Sequence, residues 1–271
     1  MSLARENFAQ EVSLADEEID LAKAALYLAQ EETPTLELET YLGQLEEWAQ
    51  QVQALLPEER YPLRVIQCIN QVLYDDLGFV GNEENYYDPR NSFLNEVMER
   101  RTGIPITLAL VYLEVARRID FPMVGIGMPG HFLIRPEFKN AGIFVDAFHK
   151  GEVLFPEDCE QRLQEIFGQP VTLDDQFLEA VTKKEFLARM LTNLKLIYIN
   201  QQDLHRALGV IERLLLIFPD AIREQRDRGL LHYQLGDNQT AIADLKTYVA
   251  HFPDASDSSM IQMLISEISQ Q

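Results

Sequence analysis

The sequence predicts an α+β domain followed by an all-α module of helix hairpins. Three observations predict it. Apolar residues recur at helical spacing through roughly the first 80 positions. Short β-rich pieces separated by turn signals then crowd between Met123 and Phe155. Near the C-terminus, a segment at 207–221 returns at 241–255. The 271 residues leave room for one full-sized domain and a smaller module, since domains average roughly 100–150 residues. The boundary is read as residues 1–182 for a helical extension plus the α+β domain, and 183–271 for the repeat helices.

Taken in order, Ser13 followed by Asp16 has the spacing of a capping box, and Leu14, Ile19, Ala22, Leu26 and Ala29 follow at helical spacing. Pro34 breaks that run. A second amphipathic pattern runs from Leu38 through Trp48 to Leu56 and stops at Pro57; a third follows Pro62 and stops at Gly78. The polar, turn-rich stretch 79–91 reads as a loop. Asn91 or Ser92 is expected to cap a short helix ending at Arg100. Gly103 and Pro105 then introduce a strongly apolar helix, with Pro105 in the first turn, where its missing N–H costs nothing.

Four pieces, MVGIGM, HFLIR, GIFVDAF and EVLF, follow from Met123. They are separated by Pro129-Gly130, Lys139-Asn140-Ala141-Gly142 and Lys150-Gly151 turns, which implies a small antiparallel sheet of consecutive hairpins packed on the preceding helices. From Lys183 the chain reads as helical to its end. The segment ALGVIERLLLIFPDA recurs 34 residues later as AIADLKTYVAHFPDA, the period of tetratricopeptide repeats, each a helix hairpin. Two repeats are too few for a long groove.

Composition excludes several classes. Hydrophobic residues make up 46% and charged residues 25% of the chain, the balance of an ordinary globular protein. No stretch approaches the roughly 20 apolar residues of a membrane span. The first residues lack a basic region followed by an apolar run, so no secretory signal is read and a cytoplasmic location is expected. The two cysteines, Cys68 and Cys159, suit a reducing compartment and read as inert core thiols. A net charge of −21 repels a phosphate backbone, so nucleic acid is not expected as a partner.

The segment Gly125-Ile-Gly127-Met-Pro-Gly130 spells a dinucleotide fingerprint, but a strand-like HFLIR follows where a helix would be needed, so it reads as a hairpin turn. His131 and Asp146 stand at facing ends of neighbouring strands, where a carboxylate can fix an imidazole's tautomer as in Cys-His-Asp hydrolases. No cofactor and no metal site are expected. His149 falls in the Lys-Gly turn and reads as a solvated loop residue.

The stretch from Asn91 through Phe148, NSFLNEVMERRTGIPITLALVYLEVARR followed by GMPGHFLIRP and FVDAF, resembles the transglutaminase-like domain of the bacterial SirB-type proteins. Those proteins also carry C-terminal tetratricopeptide repeats. The wider superfamily, whose fold is papain-like, places its nucleophile in G-x-C-x-x-x-A at the start of a helix ending A-R-x-x-G-x-P. Gly103-Ile-Pro105-Ile-Thr-Leu-Ala109 and Ala116-Arg117-Arg-Ile-Asp120-Phe-Pro122 fit that pattern without a gap, and the cysteine falls on Pro105. The resemblance implies that His131 holds the general-base position and Asp146 the orienting one. It places Asn91, Ser92, Arg101 and Thr107 among residues binding at the cleft, with the Thr107 hydroxyl expected on a backbone carbonyl. Proline has neither nucleophile nor N–H, so a thioester mechanism has no residue at that position. The reading is a non-catalytic interaction or regulatory protein with a protein or peptide partner. Its rival is a cysteine-independent hydrolase or amidase using His131 and Asp146.

Overall fold

Two helices open the chain where the spacing predicts one. The computed structural model describes residues 2–138 and 142–270, so the Lys139-Asn140-Ala141 part of the predicted turn lies outside the described residues. Helix α1 spans Leu3–Ser13 and α2 spans Leu21–Glu32, with a 3-10 turn at Asp16–Glu18 between them. The expected Ser13–Asp16 cap is corrected: Ser13 ends α1, and its Oγ donates back to the Gln10 carbonyl at 2.7 Å. A serine hydroxyl bonded to its own helix is unavailable to cap the next one. Asp20 caps α2 instead, accepting from Lys23 N at 3.0 Å. Asp16 acts across the sequence. Its carboxylate accepts the N–H groups of Lys183 and Lys184 at 2.9 and 3.0 Å, satisfying orphan donors at a helix start.

Helix α3 spans Leu38–Leu55 and α4 spans Pro62–Asn70. The third predicted helix does not stay α-helical to its end: Gln71–Asp76 widens into a π segment before Gly78 turns at φ +74°. That segment and α4 grip the hairpin that carries Asp146. Tyr74 Oη donates to the Ala147 carbonyl at 2.9 Å, and Asn70 Nδ2 donates to the Gly151 carbonyl at 2.8 Å. Asn70 Oδ1 in turn accepts from Tyr112 Oη at 3.0 Å.

The loop after Gly78 is pinned at both ends. Strand β1, Val80–Gly81, pairs parallel with β2, Thr102–Gly103. A 3-10 turn at Pro89–Ser92 leads into α5, Leu94–Arg100, whose N-cap position is Phe93 with no side-chain cap bond. Neither Asn91 nor Ser92 caps this helix, because both fall inside the preceding turn. Helix α6, Pro105–Arg118, begins at the predicted proline and is buried from Pro105 through Ala116.

The sheet has the predicted antiparallel order β3-β4-β5-β6, from Met123–Ile126, Leu133–Pro136, Phe144–Asp146 and Glu152–Leu154. Helix α7, Pro156–Phe167, follows and inserts Cys159 and Leu163 into a core with Ile126, Met128, Leu133, Phe144 and Leu154. The class is α+β.

The chain divides into two compact units, Met1–Leu187 and Ala188–Gln271. Acidic residues number 34 against 15 basic in the first, a net of −19 of the −21 total. The later helices are α8, Lys183–Asn200; α9, Leu204–Ile217; α10, Ile222–Gln234; α11, Asn238–His251; and α12, Ser258–Ile268. The 34-residue repeat is legible atom by atom. Asp203 caps α9 through Arg206 N at 3.1 Å, and Asp237 caps α11 through Thr240 N at 3.2 Å. The residue before each is left-handed, Gln202 at φ +59° and Gly236 at +84°. Among the described residues no helix is long and apolar enough to cross a membrane.

Gly151 has φ +70°, and a Cβ there would lie 2.0 Å from Asn70 Oδ1. Gly151→Ala therefore combines left-handed strain of about 1–2 kcal/mol with loss of the Asn70 clamp. Urea unfolding should show a loss of more than about 2 kcal/mol, whereas Gly43→Ala, with open space around it, should not destabilise the protein.

Candidate functional site

Asp146 closes β5 and is fully buried. Its two oxygens are used differently. Oδ1 accepts the backbone N–H groups of Phe148 and His149 at 3.1 and 3.2 Å, so the turn after β5 fixes the carboxylate plane. Oδ2 faces His131 Nε2 at 2.8 Å and His149 Nδ1 at 2.8 Å. His131 sits in the β3–β4 turn, just after Gly130 at φ +74°, and is buried. Burial opposes ionisation of Asp146, but the hydrogen bonds of the two imidazoles outweigh it and hold the carboxyl well below the usual carboxylate range.

His149 corrects the expectation of a solvated loop residue. Its side chain is 36% exposed and bonded to the same oxygen as His131. That bond holds its proton above the ordinary imidazole range, against the opposing effect of burial. Arg162 of α7 completes the cluster, with Nη1 3.7 Å from Asp146 Oδ2 and Nη2 2.9 Å from Glu152 Oε2. The donor atoms of His131, Asp146 and His149 lie within 4.8 Å of one another, close enough for metal ligands. A divalent ion held by them would stand against the Arg162 guanidinium. The positive charge that balances Asp146 is thus already supplied by protein groups.

An aromatic wall covers the imidazoles. The Phe148 ring meets His131 at 6.3 Å and Tyr86 at 6.3 Å, both edge to face. It also fills the space a Cβ on Gly81 would need, at 2.6 Å. The loop 82–88 is thereby set against the His131 side of the sheet, and Tyr87 at its tip is 70% exposed.

The other residues named from the sequence do different things. Pro105 is buried at the first position of α6. Thr107 Oγ1 donates to the Asn91 carbonyl at 2.7 Å and accepts from Ile104 N at 3.1 Å, closing the helix start. Asn91 is fully buried: its Nδ2 donates to the Asn85 and Tyr86 carbonyls at 2.8 and 3.2 Å, and its Oδ1 accepts from Asn82 and Arg100. Asn91 therefore shapes the loop bearing Tyr86. Ser92 Oγ is buried and has no hydrogen-bond partner among the described residues. Arg101, left-handed at φ +54°, stacks its guanidinium 4.4 Å from the Trp48 ring centroid and donates to the Met98 carbonyl, which places it in the packing at the end of α5.

Both cysteines are buried. Cys68 is buried with Sγ 3.5 Å from the Leu55 carbonyl. Cys159 lies in the core under the sheet, where burial first and nearby Asp158 and Asp146 second push its thiol up to about 12.

The family model for the transglutaminase-like superfamily matches residues 39–192, and a tetratricopeptide-repeat model matches 194–266. The chain belongs to the transglutaminase-like superfamily. A "UPF0162 protein" of Xylella fastidiosa is 34% identical over 94% of this chain and 92% of its own length. A "UPF0162 protein" of Vibrio cholerae is 28% identical over 95% and 97%. The mouse "F-box only protein 21" is 33% identical over 68% of this chain but only 30% of its own length, so the shared region is part of a larger chain there. A transglutaminase-like domain followed by tetratricopeptide repeats is the SirB-type architecture, and together the two domains suggest a protein-interaction role.

His149 and Arg162 are the site residues the sequence reading missed. His149 had a signal, its position three residues after Asp146 in a tight turn. Arg162 had none, because its place depends on how α7 folds back over β6.

Removing the carboxylate leaves two imidazoles without their acceptor, and breaking a buried pair costs about 3–5 kcal/mol. Asp146→Ala should lower stability by that order at pH 7 in urea unfolding. A depressed folded pKa contributes stability above the unfolded value of roughly 4, so the difference should shrink as pH falls through the acid range. His149 has the opposite sign: its raised pKa stabilises fully below about 6.5 and that contribution is lost as pH rises through the folded value. The gap between wild type and His149→Ala should therefore be wider at pH 6 than at pH 9.

Proposed function

We propose that this chain is a non-catalytic, cytoplasmic interaction protein, in which a transglutaminase-like cleft without its nucleophile is joined to a tetratricopeptide module that binds a protein or peptide segment. The observation that carries this reading is Pro105, buried at the head of α6 where the superfamily's cysteine belongs. The resemblance of Gly103–Ala109 to the superfamily's motif supports that assignment, and Pro105 stands at the first position of the helix. A cysteine at a helix N-terminus would be activated by the backbone donors around it. Proline offers neither thiol nor N–H, and both cysteines of the chain are sequestered elsewhere.

In this reading Asn91, Ser92, Arg101 and Thr107 contribute by shaping the cleft wall and loop, with no metal or cofactor. The acidic surplus of the first unit supports a partner other than nucleic acid, since phosphate recognition relies on clustered Lys and Arg. Tetratricopeptide modules commonly bind partner segments, which supports assigning the partner to the repeat helices.

One observation favours a second reading, a cysteine-independent hydrolase or amidase. The His131–Asp146 pair keeps its 2.8 Å contact and its ionised acid, the arrangement of a general base.

Thiol labelling tests the absence of a cysteine nucleophile, which both readings require. Iodoacetamide at pH 7 should leave Cys68 and Cys159 unmodified in the folded protein and alkylate both in urea; stoichiometric labelling of one of them in the native state would sink the non-catalytic reading. His131→Ala breaks a buried pair and should cost several kcal/mol, so its capture of the protein partner is compared with wild type at a temperature where urea unfolding shows both folded; weaker capture there is the expected result. A hydrolytic activity that survives purification and disappears in His131→Ala would favour the second reading.

A further inference from the structure

His149 is held between an acceptor and a cation. Its Nδ1 lies 2.8 Å from Asp146 Oδ2, while Arg162 Nη1 lies 2.9 Å from Nδ1 and 3.2 Å from Nε2. Being nearly equidistant from the two ring nitrogens, Nη1 must lie over the ring face; an in-plane position at those distances would overlap the ring carbons. The face of a neutral imidazole attracts a guanidinium N–H. An imidazolium repels it.

The two contacts therefore respond to a proton in opposite ways. Protonation at Nε2 strengthens the Nδ1–H bond to Asp146, because both partners are then charged. It also sets two cations in contact, with Nη1 about 3 Å from both ring nitrogens. Arg162 has somewhere to go, since Glu152 already accepts its Nη2 at 2.9 Å and Glu165 lies 3.9 Å from its Nε. α7 itself stays anchored by buried Cys159 and Leu163.

We propose that His149 is a positioning residue for the His131–Asp146 pair, and that its protonation moves the Arg162 side chain off the site. The groups facing His149 are Asp146 from β5, Glu152 from β6, Arg162 from α7 and the ring of His131 from the β3–β4 turn. The two carboxylates favour its proton and Arg162 opposes it, with the carboxylates prevailing. The loss of Arg162 leaves Asp146 Oδ2 shared by two imidazoles alone, and exposes that side of the cluster to solvent or to a ligand. The device works whether the cleft binds a partner or performs hydrolysis, because it involves no substrate atom.

The test is an NMR pH titration from 5 to 9 of imidazole and arginine side-chain nitrogens in the full chain, comparing wild type, His149→Gln and Arg162→Gln. In wild type, the His131 ring and Arg162 Nε–H signals should each show an inflection at the His149 midpoint. His149→Gln should remove that inflection from both. Arg162→Gln should move the His149 midpoint upward by on the order of one pH unit. His131 signals that ignore the His149 midpoint, or a midpoint that stays put or falls in Arg162→Gln, would overturn the proposal. If His149→Gln does not fold, the direction of the Arg162→Gln shift decides.

Discussion

The first unit's candidate site is organised by one carboxylate that cannot reach water. Asp146 is fully buried, and its four hydrogen-bonding contacts come from two backbone N–H groups and two imidazoles. A buried charge without such partners costs several kcal/mol, so everything that positions those donors is under constraint. The turn after β5 must present two N–H groups to Oδ1. The β3–β4 turn must deliver His131 to Oδ2, and the Lys-Gly turn must return His149 to the same oxygen.

The helices serve that constraint. α4 and its π continuation hold the turn from below through Tyr74 and Asn70, and Asn70 is itself held by Tyr112 of α6. Asn70 at the end of α4 and Tyr74 within the π segment thus bond to the two ends of the hairpin turn. On the other side, Phe148 packs onto Gly81, which β1 and β2 fix beside the start of α6. The position of Pro105 and the position of the imidazoles are thus tied through a short chain of contacts.

Much of this was legible in the chain itself. The apolar helix after Pro105, the four strands and their order, and the 34-residue repeat all follow from periodicity and turn residues, which act locally. Local spacing misleads where another group claims the residue. Ser13 and Asp16 have the spacing of a cap, yet Asp16 is claimed by Lys183 and Lys184 more than 160 positions away. Asn91 suits a helix cap, but its amide is drawn to the carbonyls of the preceding loop. His149 looked like a loop residue because solvent exposure was inferred from the turn, while the turn's curvature directs the ring inward.

The sequence by itself determined the α+β class, the repeat module, and the absence of a thiol at position 105, because each depends on residue identity or on spacing along one element. Only the tertiary structure decided that Asp146 serves two imidazoles rather than one, and that a guanidinium from α7 lies on the second. The reason is physical. Hydrogen-bond geometry between side chains of different turns and helices is set by how those elements stack, and no local pattern encodes which of several candidate donors a buried oxygen will meet.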